Sequence, residues 1–345
     1  MKTFKILHEE ARRRSRTLGF FFWLGLPLSG LLYGLIFYGF FKGALGFHPA
    51  RALEAAAWFG SLFAFITLMN YLNAYYDLGQ IDAATLAQRL GAIPLRPRQN
   101  PEDRRLQNIV EEMCLASGQP LPTVMVLRLQ EDINGFVIQD TEERTVLCVS
   151  AGALRYLNRA ELSSLIGHEF GHLANDDVPV NLHLSAILYG YFTIAQWGMN
   201  GRIAISAGRD RLPVFFNLLR HDGEPTLLAV FLSTGGFLLY FYGKLLQSAY
   251  SRTRELMADN RALEFGRDRD ALAMVFKKML ALRQLDIHHR SKHQEFAHLL
   301  FANDSDWFAT HPPLEERLRR LGVRLDPAEI HQLARSLRHK FLADD

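Results

Sequence analysis

The chain has 345 residues, enough for one large or two ordinary domains with a substantial core. Its formal net charge is only +3, so no global field calls for nucleic acid, and the sequence carries no nucleic-acid motif. Hydrophobic residues make up 49% of it but are unevenly spread, collecting in long uncharged runs. Cys114 and Cys148 form no CxxC pair. Cys114 continues the helical stripe Leu106, Ile109, Val110, Met113, and Cys148 lies in the strand-like run Thr145–Ser150. Both read as small core residues in a reducing compartment, ahead of a disulfide.

In chain order, Met1–Thr17 carries Lys2, Lys5, Arg12, Arg13, Arg14 and Arg16. Leu18–Phe41 then has no charge and is long enough to cross a hydrocarbon core of ~30 Å as a helix. A signal peptide shares the basic start, but it would have a shorter apolar region and a small-residue cleavage site. Ala55–Tyr76 is a second uncharged run, after a short link with Lys42, Arg51 and Glu54. Six basic residues before the first span against two in the link put the N-terminus in the cytoplasm, and the second span brings the chain back there. Leu78–Asn100 is polar, ends near Pro94 and Pro97, and reads as a linker. Asp103–Ser117 has an amphipathic helical pattern; Thr123–Leu129, Ile133–Gln139 and Thr145–Ser150 are short and β-rich.

The stretch Ala160–Asp177 reads AELSSLIGHEFGHLANDD. Asn158 is a good N-cap with Glu161 three residues on, and Leu162, Leu165, Ile166, Phe170 and Leu173 supply an apolar face. His168 and His172 stand at i and i+4, so both imidazoles reach one point in space and make half of a catalytic zinc site. Glu169 is placed to take a proton from the activated water. The whole region is an α+β unit, mostly helical, with a small sheet beside this helix.

Beyond Asp177, Val178–Gly201 is uncharged but holds Asn181, His183 and Gln196, and Thr226–Gly243 is apolar and short. These are two further spans or, alternatively, buried core helices. Arg202, Arg209, Arg211 and Arg220 between them argue against an external loop.

A catalytic zinc takes three protein ligands and leaves one position for water. Asn175 and Val178 stand where a metzincin has Gly and His, so the third ligand comes from elsewhere. Ser251–Phe265 reads SRTRELMADNRALEF, with Glu255 and Asp259 at i and i+4. Glu255 is the expected third ligand. Asp259, one turn along, is placed to accept the free N–H of a ligating histidine.

HEFGH, then SRTRELMADNRA, then THPPLEERLRRL (Thr310–Leu321) together resemble the HtpX-type membrane gluzincin metalloproteases, relatives of the CAAX prenyl proteases, from about Leu106 to Leu321. The resemblance implies a gluzincin-type zinc protease domain facing the cytoplasm and interrupted by a membrane hairpin. Residues 1–78 then hold the basic start and two spans, 79–177 the first half of the domain, 178–246 the hairpin and 247–345 the second half. An even number of spans between His172 and Glu255 keeps the three ligands on one side of a membrane, a bacterial inner membrane by this pattern. Asn134, Gly135 and Phe136 match an Asn-Ala-Phe signature in which an edge strand lines the substrate cleft, with Gly135 in place of Ala; the alternative for the pair is an Asn-Gly hairpin turn. His311 resembles a family histidine that assists the oxyanion, or is structural, and Arg317 fits the same pattern as the partner of a carboxylate.

The expected chemistry is peptide hydrolysis with one zinc ion per chain and Glu169 as general base. The expected partners are protein or peptide substrates, misfolded or membrane-tethered, and membrane lipid. Prenyl-protein processing and an inactive zinc-retaining scaffold are the alternatives. An intramembrane protease is disfavoured because Arg159, Glu161, Asp176 and Asp177 bracket the motif. Asp326–Asp345 has a thin apolar stripe, Ile330, Leu333, Leu337 and Phe341, and reads as a solvated helix packing on the domain. His288, His289, His293 and His298 read as a polar connecting segment, with adventitious metal binding the alternative.

Overall fold

The computed structural model describes residues 4–200, 202–203, 214–215, 220–221, 224–225, 227–285 and 311–343. The histidine cluster 288–298 and the loop residues Arg209 and Arg211 lie outside the described residues. The chain packs as two units, one of residues 1–15, 81–179 and 250–345, the other of 16–80 and 180–249.

The second unit is built from long helices. Helix α1 (Phe4–Gly39) runs into a π-helical turn, and α2 (Pro49–Gly79) follows. Among the described residues, stretches in four helices are long and apolar enough to cross a membrane: Gly19–Ala44, Pro49–Asp77, Asp177–Gln196 and Ala229–Gly266. Large apolar side chains such as Leu31, Leu35, Leu62 and Trp58, the last 79% exposed, face outward as lipid-facing residues do. Helices α1 and α2 meet through small residues: a Cβ on Gly60 would stand 2.5 Å from the Gly30 carbonyl oxygen. His183 is accommodated by Tyr71, whose hydroxyl is 2.9 Å from Nδ1, and by stacking on Tyr75 at 4.4 Å.

The other unit contains a four-stranded sheet. Residues 78–100, expected as a linker, instead form helix α3 (Ala83–Arg89) and strand β1 (Ala92–Pro94). Asp82 caps the helix by accepting the Thr85 N–H at 2.8 Å, and Ala83, Ala87 and Ala92 are buried. Alanines four apart are apolar enough to dock a helix, yet they leave the stretch polar on average. Helix α4 (Pro101–Ser117) begins with Asn100 as cap and Pro101 in the first turn, and ends at Gly118 with φ +72°. Strands β2 (Thr123–Leu127), β3 (Gly135–Gln139) and β4 (Thr145–Ser150) complete the sheet in the order β1-β2-β4-β3. Strand β2 is antiparallel to β1 and parallel to β4; β3 is antiparallel to β4 and lies at an edge.

Side-chain alternation divides the sheet cleanly. Val124, Val126, Val137, Leu147 and Val149 join the main core, with helices α4, α6 (Arg159–Ala174, after the short α5, Ala151–Tyr156) and α9 (Arg269–Gln284) on that face. Met125, Leu127, Phe136, Ile138 and Cys148 face Ala83 and Ala87 of α3. Helix α7 (Asp177–Asn200) leads away, α8 (Leu227–Gly266) returns, and α9 (Arg269–Gln284), α10 (Leu314–Arg320) and α11 (Pro327–Ala343) follow. About 20 residues of α8 suffice for a ~30 Å core. Its later turns, from Tyr250 on, therefore belong to the sheet-containing unit. The tail helix α11 buries Ile330, Ala334 and Leu337, and its Glu329 accepts from Lys277 of α9 at 2.7 Å.

Candidate metal centre and active site

Helix α6 is fixed at its start by a reciprocal capping box. Asn158 accepts the Glu161 N–H at 2.9 Å and Glu161 accepts the Asn158 N–H at 2.8 Å. Its interior carries His168, Glu169 and His172, the first two buried. Helix α8 crosses it where Gly167 faces Ala262 and Gly171 faces Ala258. That close crossing brings Glu255 to the two histidines.

The three side chains form a triangle. Nε2 of His168 and Nε2 of His172 are 3.2 Å apart; Glu255 Oε2 is 3.4 Å from the former and Oε1 is 3.3 Å from the latter. A tetrahedral ion with bonds of about 2.0–2.1 Å sets its ligand atoms about 3.3–3.4 Å apart, so the donors fit such an ion. Among the described residues these three are the group able to hold a metal.

Each histidine presents Nε2 to the triangle and Nδ1 to a carboxylate. His168 Nδ1 is 3.0 Å from Asp259 Oδ1. Asp259 accepts in turn from Arg317, whose Nε is 2.9 Å from Oδ2. Arg317 is 1% exposed and lies 4.2 Å from the Phe276 ring centre; the carboxylates of Asp259, Glu255 and Glu169 raise its pKa although burial alone would lower it. His172 Nδ1 is 2.7 Å from Asp177 Oδ2, and Arg254 donates to Asp177 Oδ1. Sequence reasoning missed both Asp177 and Arg254. The available signal was an aspartate one short turn beyond the second histidine.

Glu169 is 2% exposed, with Oε1 buried and without a hydrogen-bond partner among the described residues. Burial pushes its carboxyl above the ordinary value, against the pull of His168 and His172, the direction a base working near neutrality needs. His311 places Nδ1 3.0 Å from Glu255 Oε2, so it joins the cluster beside the third donor.

Asn134 and Gly135 do not form a hairpin turn: β2 and β3 are not neighbours, and Gly135 pairs with Val149 without a positive φ. Asn134 is buried at the head of the edge strand, its carbonyl accepting from Ser150 N at 3.0 Å and its N–H donating to Ser150 Oγ at 2.9 Å. By antiparallel alternation Asn134 and Phe136 bond toward β4, which leaves the N–H and C=O of Gly135 and Val137 at the free edge. A Cβ on Gly135 would lie 3.5 Å from Glu169 Cγ, so this edge adjoins Glu169. The Phe136 side chain is not brought to the site, because it packs on the opposite face with Met125 and Leu127.

Residues 100–324 match peptidase family M48. A protease HtpX homolog of Thermoanaerobacter pseudethanolicus is 30% identical over 269 residues, covering 74% of this chain and 81% of that one. Another from Bacteroides fragilis is 29% identical over 263 residues, covering 73% and 76%. The crystal structure of S. mikatae Ste24p superposes with a TM-score of 0.41 at 17% identity, covering 74% of this chain and 57% of that one, a likeness too loose to carry an argument. With a family match over most of its length and four helices fit to span a bilayer, the chain belongs to peptidase family M48 and is an integral-membrane protease.

Proposed function

We propose that the chain is a zinc-dependent endopeptidase that cleaves peptide bonds in membrane-tethered or misfolded proteins. The observation that carries this reading is the triangle of His168, His172 and Glu255, at 3.2–3.4 Å, with the buried Glu169 beside it. His168, His172 and Glu255 would hold one zinc ion per chain, which when bound acidifies a water and polarises a carbonyl. Glu169 accepts the proton of the attacking water and returns it to the departing amine. His311 donates to the carbonyl oxygen as it gains charge. The free edge of β3 holds the substrate extended through the backbone of Gly135 and Val137, with Asn134 fixing the strand's start. Backbone recognition is weakly selective for sequence, which suits misfolded chains.

The same reading puts the protein in a bacterial inner membrane, with the catalytic unit in the cytoplasm beside the basic N-terminal segment. Residues 178–246 are then a membrane hairpin between two halves of one protease domain, 79–177 and 247–345.

Casein cleavage by detergent-purified protein, with zinc content by elemental analysis, tests it. Wild type is expected to hold about one zinc and cleave, Glu169→Ala to keep zinc without activity, and Glu255→Ala to lose zinc. An active Glu169→Ala protein, or a zinc-free wild type after expression with ample zinc, overturns the reading in favour of a scaffold.

A further inference from the structure

Two arginine-backed aspartates address the two imidazoles, and the second of them, on His172, has no counterpart in the motifs that identify the site. Asn175 ends α6, and Asp176 adopts a left-handed conformation with φ +55°, which aspartate tolerates better than most residues. This reversal returns Asp177 beneath His172 within five residues. Asp177 is buried, its side chain 2% exposed, and it divides its two carboxylate oxygens. Oδ2 lies 2.7 Å from His172 Nδ1, and Oδ1 accepts from Arg254 Nε. Arg254 also donates through its terminal nitrogen to the Asn175 carbonyl, an acceptor that the end of α6 would otherwise leave open. Two donors of the fork, Nε and one terminal nitrogen, are therefore aimed at the turn that carries Asp177.

We infer that Asp177 and Arg254 are positioning residues for His172. Resting on the reading of His172 as a metal ligand, the inference assigns Asp177 to hold the proton on Nδ1, so that Nε2 stays deprotonated and aimed at the triangle. Arg254 bridges the Asp177 carboxylate and the Asn175 carbonyl and so fixes the turn. An Asn at 177 has the same shape but offers a neutral, weaker acceptor and a competing N–H₂ group, so the ring loses its orientation. Carboxylates and carbonyls that back a ligating histidine contribute about 10–100-fold in metal affinity. Arg254 fits this role better than a lysine would, because two acceptors at fixed positions need a planar fork.

The test is zinc affinity of full-length detergent-solubilised protein, by competition with a chromophoric chelator, together with the visible spectrum of the cobalt-loaded form. Proteins compared are wild type, Asp177→Asn, His172→Ala and Asp140→Asn, the last a control far from the cluster. Asp177→Asn is expected to bind zinc about 10–100-fold more weakly with an altered cobalt d–d band, while Asp140→Asn matches wild type. If Asp177→Asn does not accumulate folded, Arg254→Lys carries the test, with a loss in the same direction. Affinity within twofold of wild type and an unchanged cobalt spectrum, with His172→Ala defective, overturn the inference while the ligand assignment stands. Full binding by His172→Ala overturns the ligand assignment, and this inference with it.

Discussion

Gly171 of α6 lies against Ala258 of α8 so closely that a methyl group on the glycine would stand 2.9 Å from the Ala258 carbonyl oxygen and 3.0 Å from its Cα. Both are backbone atoms, so a larger residue is accommodated only by moving the helix. That helix carries Glu255 and Asp259. Gly171→Ala is therefore expected to cost about 1–3 kcal/mol of stability by overpacking and to pull Glu255 out of the triangle. Zinc content of the purified variant checks it: the expectation is a clear loss, and a full complement of zinc would show that the crossing tolerates the methyl.

Gly135 makes the opposite prediction. An added Cβ meets Glu169 Cγ at 3.5 Å, ordinary van der Waals contact, and the backbone there is extended. Gly135→Ala should leave casein cleavage within about threefold. It should also raise stability by about 0.4–1 kcal/mol through the unfolded state. Thermal denaturation and initial rates measure both, and a large loss of activity would mean that the edge beside Glu169 is more crowded than this spacing indicates.

Arg317 is buried with two carboxylates on it, Asp259 by hydrogen bonds and Glu255 with an oxygen 3.6 Å from the guanidinium. Arg317→Met removes the charge and leaves Asp259 buried beside His168. A loss of about 3–5 kcal/mol is expected, and Arg317→Lys should recover only part of it because one ammonium cannot reproduce the fork. Chemical denaturation of the three proteins is the check, with equal midpoints for wild type and Arg317→Met as the contrary result.

Asp140 gives a pH dependence outside the metal centre. Its carboxylate, 2% exposed, closes the turn between β3 and β4 by accepting the N–H groups of Glu142 and Arg144 at 3.0 Å and Arg144 Nε at 2.8 Å. Desolvation alone would raise its pKa, but these hydrogen bonds outweigh burial and hold it below the ordinary carboxylate range. A depressed folded pKa means a contribution fully present above the unfolded value near ~3.9 and lost as pH falls through the folded value. Asp140→Asn should thus lower the melting temperature at pH 7, with the gap to wild type closing as pH falls below about 4. A gap that is constant with pH would assign the effect to turn geometry instead of charge.

The side chains that the structure groups as a possible metal site were legible because a metal would demand such a spacing: i and i+4 on one helix puts His168 and His172 together whatever the fold does. Glu255 and Asp259 were legible for the same reason on a second helix. Asp177 was not, because it reaches His172 through a left-handed turn at Asp176 and no helical periodicity leads there. Phe136 was assigned to the cleft because a strand stretch is read as one unit, whereas the period of two sends its ring to the α3 face. The stretch 78–100 concealed α3 and β1 because alanines dock a helix with little apolar area, and hydropathy registers area more than position. The spans read from uncharged runs agree in number with the four helices fit to cross a bilayer, while their ends shift wherever a helix continues into the other unit.

Whether His168, His172 and Glu255 bind one zinc ion is decided by X-ray absorption at the zinc K-edge of the purified protein. One zinc per chain is expected in a shell of nitrogen and oxygen at about 2.0–2.1 Å, with the outer scattering of two imidazoles, reduced to one in His172→Ala. Sulfur scattering near ~2.3 Å, or an imidazole count unchanged by that substitution, would contradict it.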